Sequence, residues 1–205
     1  DDALSMVRDV FIFGCTVGLR FSDLMALRTK NLIVKNNNYY VSIRNKKTAV
    51  KTSIKLPPYA IDVVERYKNK YPTLMPPFSL QIFNQKLKKM AKFLPEDYIL
   101  PKIRERRGVP VVIYKDKAKK QHYHISDHMS SHVMRRTAIT VMMILGVPEH
   151  IVRQISGHAP NSKSFFRYVE VAQDYFDYET DRAFDKLCSY NPYNPKHLME
   201  NPRKD

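Results

Sequence analysis

The chain has 205 residues, a size for one domain with appendages and a real hydrophobic core, and 43% of its residues are hydrophobic. Its 35 Lys and Arg against 20 Asp and Glu give a formal net charge of +15 and a pI near 9.7, an excess that points to a polyanionic partner, of which nucleic acid is the commonest. Two cysteines, Cys15 and Cys188, exclude a disulfide framework and suit a reducing cytosol; the most apolar stretch, residues 10–19, is too short to span a bilayer and holds two glycines, so no membrane partner is expected.

The chain opens inside what reads as a helix, with no methionine and no visible signal peptide, and the expectation is a fragment whose N-terminal part was removed. Residues 3–16 carry Leu4, Val7, Val10, Phe11 and Phe13 at helical spacing. Gly14 and Gly18 loosen the end of that helix, Arg20 follows in a tight turn, and Ser22 is the expected cap of a short helix through Leu27 with Asp23 in its first turn. The period then changes. Runs at 32–34, 39–43 and 52–56 are β-rich, Asn36-Asn37-Asn38 turns between the first two, and 45–50 joins the second to the third, which makes a small meander. Pro57 and Pro58 end it, and helices are predicted at 60–70 and 79–93.

Residues 94–123 are the least legible, with Pro95, Pro101, Gly108, Pro110 and a basic run at 115–120; residues 111–114 read as a strand. A helix is predicted over 130–145, stopped by Gly146, and another from Pro148 to 155, stopped by Gly157. Two more are expected, one from 162 and one from 173 to 187, followed by an Asn- and Pro-rich tail that is flexible or docks elsewhere. No internal repeat is visible.

Several residues could carry chemistry. His132 and Arg135 lie three apart on a predicted helix and share a face, so one can pass a proton while the other grips an anionic oxygen. Arg136 points elsewhere, as a backbone or surface contact. Gly157 lets the chain turn so that His158 projects from a helix junction. Tyr168 follows ten residues later; a helical Tyr is more often a packing residue, and as a nucleophile a phenol, ionising near pH 10, needs a cationic pocket or a base. Arg20, between Gly18-Leu19 and Phe21-Ser22-Asp23-Leu24, can reach a phosphate with a forked pair of hydrogen bonds or simply pair with Asp23. Lys46 and Lys47, before Thr48, sit at a hairpin tip, where a lysine is usually only solvated. His122, His124, His128 and His132 are dense enough to suggest zinc, but no Cys lies near and the element is loop-like, so no metal is expected.

Taken in order, Gly-Leu-Arg-Phe-Ser-Asp-Leu at 18–24, hairpin Lys47-Thr48, His132-x-x-Arg135-Arg136-Thr137, Ser156-Gly157-His158 and Tyr168 resemble the catalytic domain of the tyrosine recombinases, the phage integrase family. The first of these is similar to integrases of mobile elements in Bacteroides-like bacteria. No single motif is specific; the ordered set is, because independent accidents would have to coincide. The resemblance covers nearly the whole chain and implies a mainly helical α+β catalytic domain over 1–187, with a small three-stranded antiparallel sheet and a tail over 188–205; the family's N-terminal core-binding domain does not lie in this stretch.

The resemblance also implies roles. Arg20 and Arg135 would clamp the non-bridging oxygens of a DNA phosphate, and Asp23 would support Arg20. Lys47 would protonate the leaving 5′-oxygen, with Lys46 and Lys51 as competitors for that role. His132 would assist proton transfer at the nucleophile and His158 would hydrogen-bond the phosphate. Tyr168 would attack to give a 3′-phosphotyrosyl link, although its gap from His158 is slightly longer than usual and makes Tyr175 and Tyr178 fallbacks. Arg136, Lys46, Lys51 and Arg153 would contact DNA, and residues 94–123, longer than a minimal family connection, read as an added hairpin touching it. The chemistry is self-consistent: a missing phosphate donor costs roughly a hundredfold, a positioned acid gives typically 10²–10⁴-fold, and a covalent link that conserves the phosphodiester lets a second hydroxyl reseal the strand with no cofactor. The expected partners are double-stranded DNA, further protomers in a homo-tetramer on two DNA sites, and DNA-bending or directionality factors, in a cytoplasmic, nucleoid-associated setting. Residues 173–205, with Phe176, Ala183, Phe184 and Leu187, are the candidate for exchange between protomers. Type IB topoisomerase-like relaxation and non-catalytic DNA binding are the alternatives.

Overall fold

The computed structural model describes residues 2–44, 51–159 and 162–190. Helix α1 (Asp2–Val17) buries Val7, Val10, Phe13 and Val17, whose spacing of three to four residues makes one apolar stripe along the helix. Gly18, at φ +63°, turns the chain out of α1, and Arg20 enters the short helix α2 (Phe21–Met25) with extended backbone. Arg20 therefore holds the cap position, without a side-chain capping bond, and the cap expected from Ser22 does not form because Ser22 lies inside the first turn.

A 3-10 turn at Thr29–Asn31 leads into the meander of β1 (Leu32–Lys35), β2 (Asn38–Arg44) and β3 (Lys51–Lys55), antiparallel in that order. Asn36 and Asn37 both have positive φ, the two-residue turn that matches strand twist, and they set the Leu32↔Val41 register. Val41 then faces Ile54 and the pair enters the core. Pro58, expected to end the sheet, also begins α3 (Pro58–Tyr67), where its missing N–H costs nothing. Helix α4 (Leu80–Ala91) is capped by Ser79, whose Oγ accepts from the Ile82 N–H at 3.3 Å.

The illegible segment contains β4 (Ile99–Leu100), β5 (Lys102–Arg106) and β6 (Val109–Ile113), and at its end come β7 (Tyr123–His124) and the single turn α5 (Ile125–His128). β4 pairs with β7, and β5 with β6 as a separate hairpin. Helices α6 (Ser131–Ile144), α7 (Glu149–Ser156) and α8 (Lys163–Tyr190) follow. α8 runs unbroken through 28 residues where two helices were expected, because no Gly or Pro interrupts it between 163 and 190. The tail beyond residue 190 lies outside the described residues.

Among the described residues, two apolar clusters form the core. The larger joins α1, α2, the meander, α3 and α4, and reaches α6 through Met134. The smaller joins Ile139 of α6, Val152 of α7, and Phe165 and Tyr168 of α8. Fully burying residues such as Phe13, Phe83 and Phe165 contributes about 1.5–3 kcal/mol each. α1 approaches α6 closely: a Cβ at Gly14 would lie 2.4 Å from Met134 Sδ. Asp9, buried on α1, accepts from Tyr67 Oη at 2.8 Å and from Arg8 and Arg66, which satisfies the carboxylate.

Candidate active site

Arg135 is carried on the inner face of α6, buried between two backbone carbonyls. Its Nη1 donates to Gly18 O at 3.0 Å and its Nη2 to Ser156 O at 2.5 Å. The first carbonyl belongs to the turn that precedes Arg20, the second to the end of α7, so one guanidinium fastens these two turns together. Two charge-assisted bonds fix its plane. Burial, and then the neighbouring charge of Arg20, bring the pKa of Arg135 down to about 10, still far above neutrality, so it remains a cation.

His158 projects where Gly157, at φ +64°, closes α7 in left-handed conformation. Arg135 Nη2 lies 3.4 Å from each ring nitrogen. Ser156 Oγ lies 2.8 Å from His158 Nδ1 and 2.7 Å from Val152 O. The hydroxyl has one proton, and the bond to Val152 O uses it. Oγ therefore accepts from Nδ1–H, and the neutral imidazole keeps its lone pair on Nε2. Burial first, then the charges of Arg135, Arg20, Arg153 and His132, push the pKa of His158 down to about 4. His132, exposed one helical turn before Arg135, is shifted the same way by burial, Arg136 and Arg135.

Arg20, His132, Arg135 and His158 line one cavity of about 680 Å³, completed by Phe21, Ser22, Leu80, Ser131, Gly157, Ala159 and Ser162. Among the described residues, no carboxylate lines it. The concavity is thus cationic, with hydroxyls and a helix-junction backbone beside the cations, which suits a bound oxyanion. Asp23 is buried, and neither of its carboxylate oxygens has a hydrogen-bond partner; Arg20 Nη1 is likewise buried and unpartnered. The direct Arg20–Asp23 pair weighed from the sequence does not form.

Tyr168 is 9% exposed and packs in the smaller cluster, its ring 6.1 Å from His158 and 5.9 Å from Phe165. It adjoins the cavity through His158 and is not one of the lining residues. Tyr175 and Tyr178 lie further along α8, both exposed, outside that cluster. Lys46 and Lys47 lie outside the described residues, and so does the side chain of Lys51, of which only the strand backbone is described. The strand that follows them is nonetheless tied to the site: Thr52 Oγ1 donates to Gln154 O at 3.0 Å, joining β3 to α7.

Arg136 is exposed on α6, away from the buried face that carries Arg135. Arg153, expected to contact DNA, is buried instead. It donates to Glu149 Oε1 at 2.6 Å and to Ala159 O at 3.2 Å, and its guanidinium lies 4.0 Å from the Phe165 ring centroid. It clamps α7 to α8. The four spaced histidines do not gather: His124 meets Ser126 Oγ and Pro95 O, His128 meets Leu100 O, and the His122 ring lies against Tyr114. Among the described residues no three His, Cys, Asp or Glu side chains are grouped as metal ligands. No described helix is long and apolar enough to cross a membrane.

Sequence reasoning gave no role to Ser156, whose Oγ fixes the His158 tautomer, although it stands inside the Ser-Gly-His motif. It also missed the carbonyls of Gly18 and Ser156 as the seats of Arg135. Nothing in residue identity marks a backbone acceptor.

A model of the phage integrase family matches residues 7–174. A sequence search of the curated proteins gives no match. Among solved structures, the chain is similar to a XerH site-specific recombinase bound to a palindromic difH substrate in a post-cleavage complex, with a TM-score of 0.52 and 13% identity over 88% of this chain and 44% of that one. It is also similar to the integrase of the Tn1549 transposon in complex with circular intermediate DNA, with a TM-score of 0.51 and 18% identity over 82% of this chain and 54% of that one. The chain thus spans about half the length of these structures, and at such identities the likeness is one of fold. With the family pattern running through both turns that seat Arg135 and through the helix that bears Tyr168, the chain belongs to the phage integrase family, the tyrosine recombinases.

Proposed function

We propose that this domain cleaves and rejoins DNA strands through a 3′-phosphotyrosyl intermediate, as the catalytic part of a site-specific recombinase that integrates or excises a mobile element. The observation that carries the reading is the convergence of Arg20, His132, Arg135 and His158 on one cavity without a carboxylate. A phosphodiester entering it meets two guanidiniums aimed at its non-bridging oxygens, where negative charge must be held as the phosphorus becomes five-coordinate. Asp23, buried with both carboxylate oxygens unpartnered, would support Arg20 only once those oxygens arrive, since no bond joins the two side chains in the free protein.

In this reading the Tyr168 oxygen attacks phosphorus, the bond from phosphorus to the 5′-oxygen breaks, and Lys47 delivers a proton to that leaving oxygen. The phenolic proton departs through His132. His158 takes up a proton from solvent at Nε2 as the phosphate enters, and that N–H hydrogen-bonds to a phosphate oxygen without being transferred. Tyr168 is packed against His158 and Phe165 and does not line the cavity, so this reading requires its ring to turn toward the cavity when DNA is engaged. Resealing reverses the step, with a 5′-hydroxyl displacing the tyrosine. Arg136, exposed next to Arg135, contacts the DNA backbone. The active assembly is a tetramer on two DNA sites, assisted by bending or directionality factors, and the exposed Phe176, Phe184 and Leu187 of α8 serve the contact between protomers.

The test is a nicked duplex that loses its short 5′-hydroxyl fragment on cleavage and so traps the covalent state. The wild-type chain accumulates a protein–DNA adduct resistant to denaturant, and Tyr168→Phe accumulates none. Equal adduct from the Phe variant rejects this nucleophile.

A further inference from the structure

The hairpin β5–β6 is built unlike the rest of the molecule. Every residue of its two strands is exposed except Ile113, and none belongs to either apolar cluster. An isolated two-stranded hairpin has marginal stability in water, so a hairpin whose strands join neither apolar cluster needs another reason for its composition. Its turn, Arg107-Gly108, has positive φ at both residues, the tight geometry that keeps the two strands in register to the tip.

The register sorts the side chains. Directly paired residues share a face, so Lys102, Arg104 and Arg106 stand beside Ile113, Val111 and Val109 on one face, while Ile103, Glu105, Pro110 and Val112 occupy the other. The first face carries three cations in one row and three aliphatic residues in the next, with no carboxylate. Alternate residues on a strand are roughly 6.8 Å apart, so each row is about 13–14 Å long. Lys102 is steadied at the base by the Tyr123 ring, 4.9 Å from its Nζ, and Arg107 adds a cation at the tip. Lys115 is not part of the row, since it pairs with Asp127 at 2.9 Å.

We propose that this face of the β5–β6 hairpin docks on duplex DNA as a two-stranded ribbon, a second contact separate from the catalytic cavity. The major groove, about 12 Å wide, admits such a ribbon, and an aliphatic row can meet base edges and thymine methyls while flanking cations reach phosphates. A protein partner would favour a face whose centre is depleted of charge, and here a cation stands in every pair. The proposal rests on the reading of the chain as a DNA recombinase.

The experiment compares the wild-type chain with K102S/R104S/R106S, changes on exposed residues outside the catalytic cavity, and with V109S/V111S. Affinity for the nicked duplex is followed by fluorescence anisotropy across a salt series. Losing three phosphate contacts lowers the slope of log affinity against log salt by about 2–3 and weakens binding roughly tenfold or more at low salt. Adduct formation at saturating duplex stays at the wild-type level. The Val pair variant keeps the slope and loses affinity. Unchanged affinity and slope in the triple variant would overturn the assignment, as would loss of self-association in sedimentation with DNA affinity intact. A wild-type chain that neither binds the duplex nor forms adduct would overturn the recombinase reading itself, and this proposal with it.

Discussion

At the scale of single residues, the site is governed by how Arg135 is held. A guanidinium seated on two carbonyls has its charge and plane fixed before any phosphate arrives, which is the preorganisation that makes electrostatic stabilisation effective. Burial first, and then the neighbouring cations, set the state of His158. With its folded pKa near 4 and an ordinary unfolded value near 6.5, the imidazole is neutral in the free protein at neutral pH. The folded state then binds fewer protons than the unfolded one between those values. This contribution to stability is complete above pH 6.5 and is lost as pH falls toward 4. An entering phosphate reverses the electrostatics. Following the His158 imidazole by NMR in the Tyr168→Phe chain, the midpoint lies well below 6.5 without DNA and moves upward when the nicked duplex is added. A midpoint that does not move on binding would show that His158 does not face the phosphate.

Between elements, the contact that positions the site most closely is α1 on α6. Gly14 sits against Met134, the residue before Arg135, and Met134 is fully buried, so it has little room to yield. Gly14→Ala therefore forces the helices apart and costs about 1–3 kcal/mol, read as a lowered Tm. Adduct formation falls with it below the Tm, because the shift is passed to the next residue. An unchanged Tm would mean that the Met134 side chain simply moves aside. The helices and the meander were legible in the sequence because each has a repeating apolar pattern and a local stop signal: Asn36-Asn37 for the β1–β2 turn, Gly146 after α6, Gly157 after α7. The single helix α8 was not legible as one, because beyond residue 173 its residues are mostly exposed and leave no continuous apolar stripe to follow. Residues 94–123 were hard to read because their strands are short and face solvent on both sides, so burial leaves no period to detect. The packing of Arg153 was illegible for a related reason. A basic residue in a basic chain looks like a DNA contact until Glu149, Ala159 O and Phe165 are seen around it.

For the whole molecule, the chemistry exists only as a product of folding. The cavity draws on the turn after α1, the start of α6 and the junction after α7, residues more than a hundred positions apart, and the packing of α8 on α6 and α7 sets Tyr168 beside it. The identities and order of these residues were readable in advance, since the family's motifs are short and ordered. Their convergence, and the seating of Tyr168 within an apolar cluster, depend on long-range packing that no local pattern encodes. The central claim is that the tyrosine joining this cluster to the cavity is the one that becomes bonded to DNA. The direct measurement is to trap the adduct on the nicked duplex, digest the protein, and locate the nucleotide by mass spectrometry. The account predicts a 3′-phosphate ester on Tyr168 alone; the same modification on Tyr175 or Tyr178, with Tyr168 bare, would contradict it.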